Sequence, residues 1–405
     1  MNILILLFVS PLLLTQLQLF MVSNHVTEDS ESIQSSLAYH RETRVLYHQF
    51  PGSFPELSCP VDSVKKPRTV KGSPVITIRE FYGSSETDHG DTHVSSVVTL
   101  VYSTKPNRMG FFDRTLRLWN GFVIASVYCL KSEEESLIQF IESKHYPSRF
   151  HIILYIVEDT EWNVSIYPMN VLRNEGIKRV TTTHYLVLDM DEWIVDSLES
   201  EISTLPSSIM EAEDVAIVIP LIMLNVNRIT PYCCSLKECV KIDSMLMPEN
   251  LEMLKECVET EICVFRRGNY YTHYYANPYW LHNITQQKES IVRLRCARDR
   301  RQEPYYILRK GTNTPIYDER FHTYGNDKVS HMTNLIVNNY RFYMMTHIFL
   351  VDIAHRPSST KTFAYSILGA MNKQYNEFLR ELGKDINKPF NLPFCTNPEK
   401  MYSFV

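Results

Sequence analysis

The run Tyr185-Leu-Val-Leu-Asp189-Met-Asp191-Glu-Trp193 constrains this chain more than any other stretch. Apolar side chains run straight into two carboxylates two residues apart. A strand buried on both faces reads as such a continuous apolar run. Where the run turns polar, the strand has reached the rim of its sheet, and open α/β sheets bind ligands just outside the carboxyl ends of their strands. On an ideal strand Asp189 and Asp191 share one side, and a bend there would let both approach one hard cation. Two carboxylates plus substrate phosphates is the usual way Mg²⁺ is held on a nucleotide, and oxygen ligands suit Mn²⁺ equally. The other reading is a solvated loop after a strand.

On both sides of this run, strands and helices alternate at short spacing. Strands are expected over 94–102, 121–129, 151–157 and 185–188. Helices are expected over 108–119 and 133–144, and over 168–176 with Pro168 in the first turn;. A further apolar strand covers 215–224. The alternation predicts an α/β fold with a mainly parallel sheet covered by helices. From there to about residue 280, cysteines and aromatics mix and the pattern resists assignment. Strands are expected again over 305–309, 341–345 and 348–353, with a terminal helix over 362–382. Residues 24–90 are polar and irregular, with one candidate strand over 75–81.

Of the 405 residues, 44% are hydrophobic and 12% aromatic, enough for a sizeable core;. The formal net charge of −5, with Lys and Arg not pooled into blocks, argues against a nucleic-acid partner;. Residues 3–22 are apolar except for Ser10, Thr15, Gln16 and Gln18. About twenty such residues span a bilayer. The stretch also suits a cleaved signal peptide, although no Lys or Arg precedes it and no small-x-small site follows. We read it as an uncleaved signal anchor with the body on the lumenal side. The sequons Asn163-Val-Ser165 and Asn283-Ile-Thr285 agree with that;. So do the nine cysteines, five of them between Cys233 and Cys263. Their spacing makes no Cys-x₂-Cys pair, so disulfide staples are favoured over zinc. An odd count leaves at least one thiol free or paired between chains.

Several ordered motifs resemble glycosyltransferase family 49, which includes the β-1,4-glucuronyltransferase and the second catalytic domain of LARGE-type enzymes. Val97-Val-Thr-Leu-Val-Tyr102, Leu118-Trp119-Asn120-Gly121 and Ala125-Ser-Val-Tyr128 are similar to its opening strand, helix and strand. Tyr167-Pro-Met-Asn-Val-Leu-Arg-Asn174 is similar to its next helix, and Leu188-Asp-Met-Asp191 to its Asp-x-Asp strand end. Glu303-Pro-Tyr-Tyr306, Tyr317-Asp-Glu-Arg-Phe321 and Phe349-Leu-Val-Asp-Ile-Ala-His-Arg-Pro-Ser358 are similar to its later motifs. The resemblance runs from about residue 94 to the C-terminus.

It implies a GT-A fold and inverting transfer from a UDP-sugar with a divalent metal, Mn²⁺ or Mg²⁺. The donor implied is UDP-glucuronate and the acceptor a glycan on a glycoprotein; transfer of N-acetylglucosamine or xylose, or an inactive glycan-binding relative, are the alternatives. It also implies a single-pass type II protein of the Golgi membrane. The chain would then divide into an anchor or signal peptide (1–23), a stem (24–90) and a catalytic domain (91–405), with a donor half over 94–225 and an acceptor half over 226–405. The metal set implied is Asp189, Asp191, Asp352 and His355. The family carries His where Asp352 stands, an aromatic and then Asn where Asn326-Asp327 stand, and an apolar residue where Glu192 stands. Inversion needs a carboxylate near the acceptor hydroxyl as general base. Asp318 is the first candidate, then Glu319 and Asp327; a salt bridge from Asp318 to Arg320 is the competing reading. Asn170, Arg173 and Asn174 would face the nucleotide, or else serve as a cap and a solvated charge. A glucuronate carboxylate would need a cation from Arg309, Lys310 or Lys328, each of which also reads as a surface charge. The aromatic run Tyr270-Tyr271, Tyr274-Tyr275, Tyr279-Trp280 could stack on the acceptor, or belong to the core.

Overall fold

The computed structural model describes residues 43, 46–48, 50, 57, 75–84, 96–160, 163, 166–266, 272–298, 301–322, 325–356, 368–382, 392–395 and 397–404. The expected anchor and most of the expected stem lie outside these residues. Among the described residues no helix is long and apolar enough to cross a membrane.

After the edge strand β1 (Ile76–Tyr82) come three strand–helix units. Strand β2 (Val98–Thr104) leads through a 3-10 turn (Pro106–Phe111) into α1 (Phe112–Leu118). Strand β3 (Val123–Leu130) leads into α2 (Glu134–Ser143), and β4 (Phe150–Val157) into α3 (Met169–Lys178). Strand β5 (His184–Asp189) then carries the first aspartate as its last residue. All of β2 is buried, and β3 and β4 are nearly so; burial on both faces is why these strands lack alternation. The four lie parallel in the order β4-β3-β2-β5. Helix α3 packs closely on β2 and β3, and Gly176 permits it: a Cβ there would stand 2.5 Å from Val101 Cγ1.

The expected mainly parallel sheet is corrected to a mixed one. After β6 (Glu192–Trp193), α4 (Leu198–Ser203) and α5 (Ser207–Met210), the apolar run over 215–224 splits at Pro220 into β7 (Val215–Ile219) and β8 (Leu221–Leu224). Proline lacks the donor a continuous central strand needs, and the two pieces enter different sheets. The stretch that resisted assignment holds α6 (Val226–Ile229), α7 (Leu236–Leu246), α8 (Leu251–Glu259), β9 (Cys263–Val264) and α9 (Pro278–Asn283). There follow β10 (Ile291–Leu294), β11 (Tyr305–Arg309), α10 (Asp327–Val337), β12 (Arg341–Met345), β13 (Leu350–Asp352), α11 (Leu368–Glu381) and β14 (Tyr402–Phe404). The large sheet runs β1-β4-β3-β2-β5-β11-β7-β12-β10-β14. Strand β11 lies antiparallel between β5 and β7, and both edges are antiparallel too. Apolar composition does not encode direction, so periodicity could not show this. A second, four-stranded sheet runs β6-β13-β8-β9. Because β11 and β12 join β5 and β7, the division expected at residue 225 does not part the sheet, and one continuous core cluster serves both halves.

The cysteine region is stapled as expected, by Cys233–Cys239 and Cys257–Cys263, with a third bridge, Cys296–Cys395, farther on. Cys234 is disulfide-bonded as well, and Cys129 is a buried free thiol.

Candidate functional site

Strands β3 and β4 are added on one side of β2, and β5 on the other, so the chain changes direction between β2 and β5. A crevice opens at the carboxyl ends of strands where the order switches this way. Asp189 stands there, paired in register with Ser103 of β2. The chain then turns at Met190-Asp191 and enters the second sheet as β6. Thus the Asp-x-Asp element joins the two sheets.

Asp189 is enclosed by the protein's own donors. Oδ1 accepts from Arg173 Nη2 at 2.7 Å; Oδ2 accepts from Lys328 Nζ at 2.9 Å and from the Tyr305 hydroxyl at 3.0 Å. Burial works to raise its pKa, but the Arg173 and Lys328 charges outweigh it and hold the carboxyl well below the usual range;. Lys328 also donates to the Tyr305 hydroxyl at 2.6 Å and lies 4.0 Å from Glu303. Glu303 and Glu192 shift the other way. Burial pushes both carboxyls up, with Asp189 adding its repulsion.

Asp191 faces a different pair. One oxygen contacts Arg108, and Oδ2 lies 2.8 Å from His355 Nε2. His355 Nδ1 is 2.7 Å from the Arg356 carbonyl, an acceptor that places a proton on Nδ1. Nε2 therefore meets the carboxylate through a second proton or a cation. A backbone carbonyl behind the far nitrogen is also how metal-bound histidines are held, so Asp191 and His355 fit a divalent cation as a pair. Asp352 is buried on β13, in register opposite Glu192. Among the described residues no three His, Cys, Asp or Glu side chains converge on one point. Asp189 can join such a set only if Arg173 or Lys328 yields an oxygen.

The face of α3 at i, i+3 and i+4 is buried rather than open to a ligand;. Arg173, wholly buried, bridges Asp189 to Asp327, with Nη1 2.7 Å from Asp327 Oδ2. Asn170 Nδ2 donates to the Asp318 carbonyl at 2.8 Å. Asn174 Nδ2 donates to the Tyr317 carbonyl at 2.8 Å and to Glu319 at 2.9 Å, and its Oδ1 accepts from Tyr317 N at 3.0 Å. These three side chains tie residues 317–319 and Asp327 to α3. Asp318 is forked by Arg320, with Nη2 at 2.6 Å and Nε at 2.9 Å; burial opposes, but those bonds lower its pKa. Asp327 is the first residue of α10, after the left-handed N-cap Asn326, and accepts from the N–H of Gly325, whose φ of +115° suits glycine, at 3.2 Å;.

Of the residues expected at the site, Asp189, Asp191, Arg173, Asp327, Lys328 and His355 gather round the crevice. Arg309 and Lys310 do not. Arg309 pairs in register with His184, five residues and about 16 Å along β5 from Asp189;. Lys310 Nζ donates to the Val180 carbonyl at 2.6 Å, at that same far rim. The aromatic platform is corrected as well: Tyr275 and Trp280 are core residues, and Tyr279 stacks on Tyr402. Tyr270 and Tyr271 lie outside the described residues. Arg108, Tyr305 and Glu303 were missed. The Glu303-Pro-Tyr motif was a signal for two of them; Arg108, inside an apolar helical pattern, gave none.

A family profile described as glycosyl-transferase for dystroglycan matches residues 155–387, more than half of the chain. The chain is similar to the xylosyl- and glucuronyltransferase LARGE1 of Homo sapiens, 22% identical over 73% of this chain and 35% of that protein. It is likewise similar to LARGE2s of Gallus gallus, 23% identical over 71% and 36%. It therefore spans about a third of the length of these curated relatives. Similar solved structures include S. aureus TarS 1-349 in complex with UDP-GlcNAc, 12% identical with a TM-score of 0.39 over 70% of this chain and 65% of that one. GalNAc-T7 with UDP, GalNAc and Mn²⁺ is 9% identical with a TM-score of 0.38, over 72% and 55%.

Proposed function

Because this chain belongs to the glycosyltransferase family described as glycosyl-transferase for dystroglycan, we propose that it transfers a sugar from a UDP-sugar to a glycan of a glycoprotein, with inversion, in the Golgi lumen. The donor proposed is UDP-glucuronate. UDP-xylose is the second reading, since the relatives it resembles are named as xylosyl- and glucuronyltransferases. The observation that carries the reading is the Asp191–His355 couple at the crevice between β2 and β5. Asp191 and His355 would hold Mn²⁺, and Asp189 would join them only where Arg173 or Lys328 yields an oxygen;. When bound, that ion neutralises charge on the departing diphosphate.

The chain's own residues supply the rest. Lys328 and Arg108, each paired with an aspartate at the crevice, are the cations within reach of an anionic diphosphate, while Arg173 is wholly buried and holds Asp189 in place;. A carboxylate takes the proton of the attacking hydroxyl. Asp318 remains a candidate, but its fork with Arg320 lowers its proton affinity. Glu303 fits that role better: it lies in the cluster and burial raises its proton affinity, and a base works best with a pKa near the operating pH;. Lumenal protein incubated with Mn²⁺, a glycan acceptor and a panel of UDP-sugars should release UDP from one donor. Asp191→Asn should abolish that release. No release from any UDP-sugar overturns the reading.

A further inference from the structure

A cleft of about 800 Å³ opens beside the candidate site, lined by residues that include Phe111, Arg114, Trp193, Asp196, Ser244 and Glu249. Two chain segments lead into it from the Arg108–Asp191 contact. Phe111 follows Arg108 by three residues within the 3-10 turn, about 6 Å;. Trp193 follows Asp191 by two residues, about 7 Å along an extended chain;. Helix α7, through Ser244, lines the cleft as well.

The lining has a definite chemistry. Phe111 and Trp193 meet edge to face with ring centres 6.1 Å apart. Arg114 lies over Trp193 at 5.2 Å and is held there by Glu249 at 3.1 Å and the Ile194 carbonyl at 3.5 Å. The Trp193 Nε1 donor is buried without a hydrogen-bond partner. Asp113 pairs with Lys144 at 2.8 Å. With Arg114 and Asp113 each neutralised, Arg117 and Asp196 bring one charge of each sign. Such a cleft has no surplus charge to draw a polyanion. The half-buried Phe111 ring and the exposed polar groups suit a neutral, hydroxyl-rich ligand, and the volume lies within the range of small-molecule sites;.

We propose that this cleft binds the acceptor glycan, with a neutral pyranose against the Phe111 ring and its hydroxyls bonded to Asp196. The proposal rests on the glycosyltransferase reading above. Ser244→Trp fills the cleft, and Asp196→Ala removes the hydroxyl partner; both positions are exposed. Acceptor KM should rise about tenfold in each, the effect of one well-placed contact, while UDP affinity measured by calorimetry stays at the wild-type value. Acceptor KM within about twofold of wild type in both variants overturns the proposal. Binding is also read without turnover, by saturation-transfer NMR with methyl β-D-xylopyranoside. The sugar should give a signal with wild type that weakens in both variants. No signal with wild type, or equal signals in all three proteins, overturns the cleft assignment. If no UDP-sugar turns over, the enzymatic reading fails and the NMR arm alone decides the cleft.

Discussion

At Glu303, burial and two nearby carboxylates oppose ionisation while Lys328 supports it. A group so balanced takes up and gives back a proton readily. Glu303→Gln keeps the shape and removes the basicity. We expect kcat to fall by about 10²–10⁴-fold, with UDP affinity little changed, in single-turnover assays with a glycan acceptor. Asp318→Asn should instead loosen the Arg320 fork, giving a lower Tm with a smaller loss of rate. The two sequons also part at this scale. Asn163 is buried, and its Nδ2 donates to the Glu158 carbonyl at 2.8 Å; Asn283 is exposed at the end of α9. Asn283→Gln should remove the mobility shift that glycosidase treatment produces on a gel, and Asn163→Gln should leave it.

Among the elements, α3 and α10 meet through buried polar contacts rather than through an apolar seam. Arg173 of α3 has no exposure and joins Asp189 to Asp327. Removing one partner of a buried ion pair leaves a charge uncompensated and costs about 3–5 kcal/mol. Arg173→Met should therefore lose about that much in urea unfolding, and lose catalysis with it. On α10, His331 stacks on Tyr317 at 3.9 Å, donates from Nε2 to the Pro315 carbonyl at 2.9 Å and accepts at Nδ1 from the Tyr306 hydroxyl. Burial lowers its pKa to about 4. Above pH 6.5 neither the folded nor the unfolded state carries that proton. Between about pH 6.5 and 4 the unfolded chain binds it and the folded chain does not, so stability falls with falling pH by up to about 3 kcal/mol. His331→Gln removes this contribution. The stability gap between wild type and variant should shrink as urea melts are run from pH 7 down to pH 4.

In the molecule as a whole, the Cys296–Cys395 bridge closes a far longer loop than the two staples of the 233–263 region. Cys296 and Cys395 are 99 residues apart, and the segment between them contains β11, α10, β12, β13 and α11. A cross-link over about 100 residues restricts the unfolded chain by roughly 4–5 kcal/mol in the chain-entropy account. Cys296→Ser with Cys395→Ser should lower stability by about that amount in denaturant melts. The paired loss at Cys233 and Cys239, six residues apart, should cost less;.

The sequence by itself determined the local pieces. The apolar runs became β2 to β5, β11 and β12 with ends shifted by a few residues at most, because burial on both faces demands such runs;. Family membership was legible in ordered motifs, and the disulfide staples in the cysteine cluster. Tertiary structure alone decided direction and company. It set β11 antiparallel beside β5, which put the Tyr305 hydroxyl on Asp189 and carried Arg309 to the opposite rim. It broke the run over 215–224 at Pro220 and sent the halves into two sheets. It brought His355 to Asp191 across 164 residues and Arg173 to Asp327 across 154. A side chain's period reports which face it occupies. Which charge waits on that face depends on segments far along the chain, and only their packing sets it.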